Sequence, residues 1–266
     1  MTFRYRLVGV IHLPALPGSP RNTLSARDAA RSAANDAKAM ADAGFDLVML
    51  ENFGDVPFFA GRVPAITVSA MTACALAARE ACPALPLGIN VLRNDADAAL
   101  AIAHVIGATC IRVNVHTGAR VTDQGVIEGD AAATVRMRKS LGAEGIALWC
   151  DVDVKHSAPL AHRSLTQEAS DLVVRAMADA LIVTGEGTGR AVDAAKLDEV
   201  RRAAPKSPLL VGSGATIDSL RELATRSDGV IVGSALREGG IAGGPIDPKR
   251  AREFAAAFRA AFPKSE

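Results

Sequence analysis

Aromatic residues are scarce in this chain: 4% of 266 residues, with a single tryptophan and a single tyrosine. Single-stranded nucleic acid is bound largely by stacking on such rings, so that class of function is disfavoured. Neither sign of charge dominates. Thirty Lys and Arg stand against 29 Asp and Glu, a formal charge of +1, with no basic excess to meet a phosphate backbone. Long hydrophobic runs are missing too. The apolar stretches end after six or seven residues, where about 20 are needed to cross a bilayer. The opening MTFRYRLVGVIHLPALPG is basic and then apolar, like a leader, but His12 and Pro14 interrupt it and it reads as a first strand. Cysteines number four (Cys74, Cys82, Cys110 and Cys150) and form no C-x-x-C pair. Reduced, buried thiols in a cytoplasmic protein are the expectation. A dinucleotide-binding sheet would need a glycine-rich turn after its first strand, and HLPALPGSP stands there instead.

What is present is one unit repeated. Apolar, β-branched runs of strand length occupy 7–12, 46–51, 85–92, 109–116, 146–155, 180–184, 209–213 and 228–232. Ala-rich stretches with helical spacing fill 26–43, 65–81, 95–106, 130–141, 167–177, 193–203, 217–224 and 248–261. Strands separated by helices of this length pair in parallel through crossovers. Eight such units within 266 residues match one (β/α)8 barrel in count and size, so the α/β fold is expected to be a single barrel domain over 1–266. A doubly wound open sheet would carry nearly continuous apolar strands. Here several strands are polar at every second position, as befits a barrel interior.

The links between elements are unequal. Helix-to-strand links are short, as at Gly44-Phe45 and Gly107-Ala108, while strand-to-helix links at 13–24, 52–64, 117–129, 156–166, 185–192 and 233–247 are long. Barrel active sites are built from the loops that follow the strands, so the working end is expected there.

Strand periodicity selects the inward residues. In IRVNVHTG, Arg112, Asn114 and His116 share a face; in LWCDVDVKH, Asp151, Asp153 and Lys155 do. Burying such groups is costly unless they are paired or functional, and a structural layer Arg112–Asp151–Lys155 is the plain alternative. His12, Glu51-Asn52 and Asn90 end three further strands on the same rim. A carboxylate near histidine and lysine suits acid–base work, so Glu51 is the first candidate base and Asp153 the second. Lys155 is an electrophilic or charge-neutralising partner, or a Schiff-base nucleophile if desolvated, with His12 or His116 moving protons. Asn90, Arg112, Asn114 and Asp151 are candidate substrate ligands. Asp151, Asp153, His156, His12, His116 and Glu51 are donors that a divalent metal could use, but no compact ligand spacing exists, so a metal stays open. No organic cofactor is expected.

Glycines follow the last three strands: VTGEGTGR, VGSGAT and VGSALREGG. Glycine lets backbone N–H groups approach an anion, and barrels commonly hold phosphate at the loops after the seventh and eighth strands. Gly212, Ser213, Gly214, Gly233 and Ser234 are therefore the expected phosphate seat. Gly185 and Gly187 extend it, Glu186 meets a sugar hydroxyl and Arg190 assists. The segment TGARVTDQGVIEG (117–129), with Asp123 at its centre, is a candidate lid or a surface excursion, and Arg120 a partner for phosphate or carboxylate.

GVIHLPALPGSP, LENFGDVPF, GINVLRND, RVNVHTGARVTDQGVIEGDA, DVDVKH, VTGEGTGR and DGVIVGSALREGG together resemble the BtpA/SgcQ family along nearly the whole chain. The resemblance implies a TIM barrel of the ribulose-phosphate-binding type. The family name comes from photosystem I accumulation in cyanobacteria, and the SgcQ branch is associated with sugar metabolism. Three functions follow as expectations. The first is a cytoplasmic enzyme, homo-oligomeric like many barrels, acting on a phosphorylated sugar or nucleoside-like phosphate by isomerase, lyase or aldolase chemistry. The second is a non-catalytic ligand sensor or assembly factor, and the third a metal-dependent hydrolase. Nucleic acid and membrane insertion are not expected.

Overall fold

A computed structural model describes residues 3–185 and 191–263. Eight parallel strands close into a barrel: β1 (Leu7–His12), β2 (Leu47–Glu51), β3 (Leu87–Asn90), β4 (Cys110–Val113), β7 (Ala147–Val152), β9 (Ala180–Val183), β10 (Leu209–Val211) and β11 (Gly229–Val232), with β1 pairing both β2 and β11. The expected TIM barrel is therefore the fold. Helices α1 (Ala26–Ala43), α2 (Ala65–Ala81), α3 (Ala96–Ile106), α4 (Ala131–Ser140), α5 (Leu165–Val174), α6 (Ala194–Ala203), α7 (Leu220–Leu223) and α8 (Pro248–Ala261) follow their strands. No helix among the described residues is long and apolar enough to cross a membrane.

Local chemistry sets the helix ends. The Ser25 hydroxyl accepts the Asp28 N–H to open α1, and Gly44 closes it with φ 81°, a left-handed turn that a β-carbon would strain. Ser164 and Gln167 form a reciprocal capping box on α5. The seventh helix is shorter than its pattern suggests. Ser219 and Thr216 bond each other's backbone and side chain, which holds 216–219 in a turn and leaves only Leu220–Leu223 helical.

Two apolar layers flank the strands. Leu7, Ile11, Val48, Leu50, Ile89, Ile111 and Leu148 pack outward against the helices. Val8, Val10, Leu47, Met49, Cys110, Trp149, Ala180, Ile182, Leu210 and Ile231 fill the interior, with Phe3 and Tyr5 packed at a tilt against Trp149 at the lower end. The same inward parity, carried one step up each strand, reaches His12, Glu51, Asn90, Arg112, Asp151, Thr184, Gly212 and Gly233. The site is thus the top layer of the barrel's own interior.

The segment after β4 is an ordered hairpin. Strands β5 (Ala119–Thr122) and β6 (Gly125–Glu128) pair antiparallel, and β8 (Ser157–Pro159) adds to β5, making a three-stranded sheet above the rim. The turn Asp123-Gln124 is closed by the Gln124 N–H donating to Thr122 Oγ1 and by Gly125 at φ 96°.

Candidate active site

The top layer is polar and cross-linked. Arg112 sits between two carboxylates: Nε and Nη2 donate to Asp151 at 3.0 and 2.9 Å, and Nη1 to Glu51 Oε1 at 3.3 Å. Asn90 Nδ2 donates to the same Glu51 oxygen at 3.0 Å, and Asn114 Nδ2 to Asp151 at 2.7 Å. Register explains the grouping, because His12 lies beside Glu51 and Glu51 beside Asn90 on neighbouring strands. Burial by itself would raise the Glu51 carboxyl. The Arg112 and Lys155 charges and the Asn90 hydrogen bond outweigh it and hold the group below its ordinary value, as an anion.

Burial moves both His12 and Lys155 toward their neutral forms, His12 much the further. Burial, reinforced by the Arg237 charge, lowers the His12 pKa to about 3. Its Nδ1 accepts the Gly243 N–H at 3.2 Å, so the ring proton resides on Nε2. Phe53 stacks on the ring with centroids 4.2 Å apart. Phe53 is brought there by Gly54, whose missing β-carbon would stand 2.2 Å from the Ala15 nitrogen. Burial, then the Arg112 charge, lowers Lys155 to about 8. Its backbone is held at both ends: its N–H donates to Thr184 Oγ1 at 3.0 Å, and Arg93 Nη2 donates to its carbonyl.

Two adjoining spaces open at this layer. A cavity of about 370 Å³ is lined by Glu51, Phe53, Asn90, Arg93, Arg112, Asn114, Lys155 and His156 among others. A smaller cleft beside it is lined by His12, Glu51, Arg112, Lys155, Gly212, Ser213, Gly214, Gly233 and Ser234. Glu51, Arg112 and Lys155 belong to both and form their common wall. Both central glycines also serve packing. A β-carbon on Gly212 would lie 2.4 Å from Ile182 and 3.3 Å from Arg112, and one on Gly233 2.9 Å from His12. Ser213 Oγ is turned inward, accepting the Gly185 N–H at 3.3 Å.

Other expected site residues lie elsewhere. Strand β7 ends at Val152, and Asp153 takes φ 54°, which breaks the alternation that would have put it on one face with Asp151 and Lys155. Lys155 enters the mouth, whereas Asp153 turns toward Arg120 and Lys196 and lines a separate cavity of about 240 Å³. His116 also lines that second cavity, its Nε2 donating to the Ala176 carbonyl at 3.0 Å. Strand β4 stops at Val113, so its expected common face with Arg112 does not extend that far. Asp151 has a fully buried side chain that accepts from Arg112 and Asn114, as a counter-ion in the top layer, and it borders the second cavity. Arg120 pairs with the chain's own Asp153 and Glu168 at the second cavity. Glu186, Gly187, Thr188, Gly189 and Arg190 lie outside the described residues. Among the described residues, no group of three His, Cys, Asp or Glu could hold a metal ion. The four cysteines are free and buried.

Arg93, Phe53, Arg237 and Gly243 are the site residues that strand periodicity does not reveal. Arg237 is 1% exposed and donates to the carbonyls of Val10, Gly233, Gly243 and Gly244, so it ties the loop carrying Gly243 to the strand carrying His12. The only signal was a long loop after β11 with an arginine between glycines.

Lys155 also yields a stability test. Unfolded lysine keeps its proton up to 10.5, while the folded residue releases it near 8. Between those values the unfolded state binds more protons, so stability rises with pH across the window. Below pH 8 the buried ammonium costs on the order of 3 kcal/mol. Lys155→Met is expected to be the more stable protein at pH 7 by about that amount, losing its advantage toward pH 10.5. Urea midpoints of the two proteins across this range measure it, and equal midpoints at pH 7 would refute the burial cost.

Residues 4–260 match the family model described as the BtpA family. An uncharacterised protein of Methanocaldococcus jannaschii is 42% identical over 250 residues, 93% of each chain. The photosystem I biogenesis protein BtpA of Synechocystis sp. is 42% identical over 248 residues, 93% of this chain and 86% of that one. Among solved structures, N-(5'-phosphoribosyl)anthranilate isomerase from Pyrococcus furiosus superposes with a TM-score of 0.57 at 16% identity, covering 96% of this chain and 99% of the other. At that identity the likeness speaks for the fold alone.

Proposed function

This chain belongs to the BtpA family, and we propose that its barrel mouth is an enzyme site for a phosphorylated sugar or related nucleoside-like phosphate, working by acid–base chemistry of the isomerase, lyase or aldolase kind. One observation carries the reading. Glu51, Lys155 and Arg112 form the wall between a roomy cavity and a cleft edged by Gly212–Gly214, Gly233 and Ser234. The phosphate occupies the cleft. The N–H groups of Ser234 and Ala235, which open the short 3-10 turn Ser234–Leu236, have no acceptor within the turn and no backbone acceptor among the described residues, and serve it. The sugar extends into the cavity, with Asn90, Arg112 and Asn114 on its hydroxyls. Glu51, held as an anion, removes a proton from the reacting carbon, and neutral His12 donates its Nε2–H to the oxygen on which charge develops. Remote phosphate binding supplies the positioning. The proposed compartment is the cytoplasm, in keeping with four unpaired thiols.

Binding is tested by thermal shift with inorganic phosphate and a panel of sugar phosphates. A ligand at 100 times its Kd stabilises by about 2.7 kcal/mol, which for a chain of this size is a rise in Tm of roughly 5–10 °C. Ser234→Asp, which places a carboxylate at the cleft, is expected to erase the shift. No shift with any phosphate overturns the proposal.

A second reading draws on the cyanobacterial relative, which is named for photosystem I biogenesis. On this reading the barrel is a non-catalytic sensor or assembly factor that uses the cleft only for binding. Glu51→Gln and Lys155→Met would then leave cellular function intact while Ser234→Asp abolishes it.

A further inference from the structure

We propose that Lys155 is a covalent nucleophile, forming an imine with a ketone or aldehyde carbonyl of the phosphorylated substrate. The inference rests on the phosphate reading above and narrows it to carbonyl compounds. Lys155 lies in the wall shared by the cleft and the cavity, so a group anchored in the cleft presents its next carbons to this amine. Its backbone, clamped by Thr184 and Arg93, gives the side chain a fixed origin. Two buried guanidiniums, Arg112 and Arg93 (4% and 6% exposed), line the same space, and both charges disfavour its protonated form. A lysine buried beside other cations gives up its proton readily, and the unprotonated amine is the nucleophile. The nearest anions do not reverse this. Asp151 is engaged through both oxygens by Arg112 and through Oδ2 by Asn114, and Arg112 and Asn90 both engage Glu51 through Oε1. The release of the proton near pH 8 agrees with that geometry.

The chemistry closes without a co-reactant. The ammonium of Lys155 passes one proton to the Glu51 carboxylate, and the freed nitrogen pair bonds to the carbonyl carbon as the C=O π pair moves to oxygen. The proton on Glu51 and a second from Nζ end on that oxygen, which departs as water with its C–O bonding pair. The nitrogen pair closes the C=N bond, and one proton remains on the iminium. The positive nitrogen then accepts the electron pair released when Glu51 takes a proton from the adjacent carbon or a neighbouring C–C bond breaks. A lysine serving only as a counter-ion would form no such bond.

The experiment uses the full chain with two probes, glyceraldehyde 3-phosphate and dihydroxyacetone phosphate, each with and without cyanoborohydride, read by intact mass and peptide mapping. One adduct per chain is expected, mapped to Lys155, saturable, suppressed by excess inorganic phosphate and half-maximal near pH 8. The exposed Lys38, Lys139 and Lys249 serve as internal controls for random amine labelling. Lys155→Arg, which keeps the charge, should bind the probes and lose the adduct; if that variant does not fold, the wild-type map decides alone. A probe that raises Tm but leaves Lys155 unmodified overturns the imine and spares the phosphate reading. Labelling of the exposed lysines to the same extent also overturns it. Probes that neither shift Tm nor label Lys155 overturn both.

Discussion

Arg112→Met is expected to lower stability by roughly 3–5 kcal/mol, the usual cost of removing one partner from a buried ion pair. Its side chain is 3% exposed, and the carboxylates it joins are 0% exposed at Asp151 and 8% at Glu51. Methionine fills much of the volume and supplies no donor, so two anions are left facing each other in a low dielectric. The penalty should be largely relieved when Asp151→Asn and Glu51→Gln are added, because neutral amides carry no uncompensated charge. Urea unfolding of the single and triple variants at pH 7 measures both effects. A loss below about 1 kcal/mol, the level of an exposed pair, would mean that water reaches this layer and that its carboxylates are not held as described.

Acid sensitivity from His12 is the second large effect. The folded ring has a pKa near 3, and the unfolded value is 6.5. Between these values the unfolded chain binds a proton that the folded chain refuses, so stability is complete above pH 6.5 and falls as pH drops through the window. The full loss approaches 4–5 kcal/mol, from about 1.4 kcal/mol per pKa unit. Carboxylates contribute their own slope, so the informative quantity is the difference between wild type and His12→Gln. Glutamine can still accept the Gly243 N–H but does not titrate. The difference should grow from pH 6.5 toward pH 3, and a flat difference would show that the ring is charged in the folded state. The neutral, Nε2-protonated ring is also the form suited to donate a hydrogen bond to a developing oxyanion, so stability and mechanism draw on one property.

How legible the barrel was can be judged strand by strand. Positions 7–12 and the helices at 26–43, 65–81 and 248–261 coincide with their elements. The three helices are the longest in the chain, and α1 carries clear end signals in Ser25 and Gly44. Strands read as 109–116 and 146–155 run past Val113 and Val152, where the ladders stop. Apolar–polar alternation continues beyond those points, because Val115 and Val154 are buried in a small separate cluster under the rim sheet. The pattern records burial and is silent on which partner does the burying. That is why Asp153 and His116 were grouped with the mouth while the backbone carries them to a neighbouring cavity. Arg93 and Arg237 escaped notice for the converse reason: each lies in a loop, where spacing says nothing about direction.

Composition and period alone determined that eight strand–helix units close into one cylinder, that its post-strand end is the elaborated one, and that Glu51 and the late glycines reach that end. Those properties are local, following from side-chain alternation of two along strands and 3.6 along helices. The tertiary structure decided the rest: Asp151 is a buried counter-ion, Asp153 turns away at a left-handed residue, and His12 is neutral with its proton on Nε2. The His12 bond joins residues 231 positions apart, and the pairing of Arg112 with Asp151 joins neighbouring barrel strands across 39 positions of sequence. Protonation and partnership depend on what chain closure brings near, and no short stretch of residues contains that information.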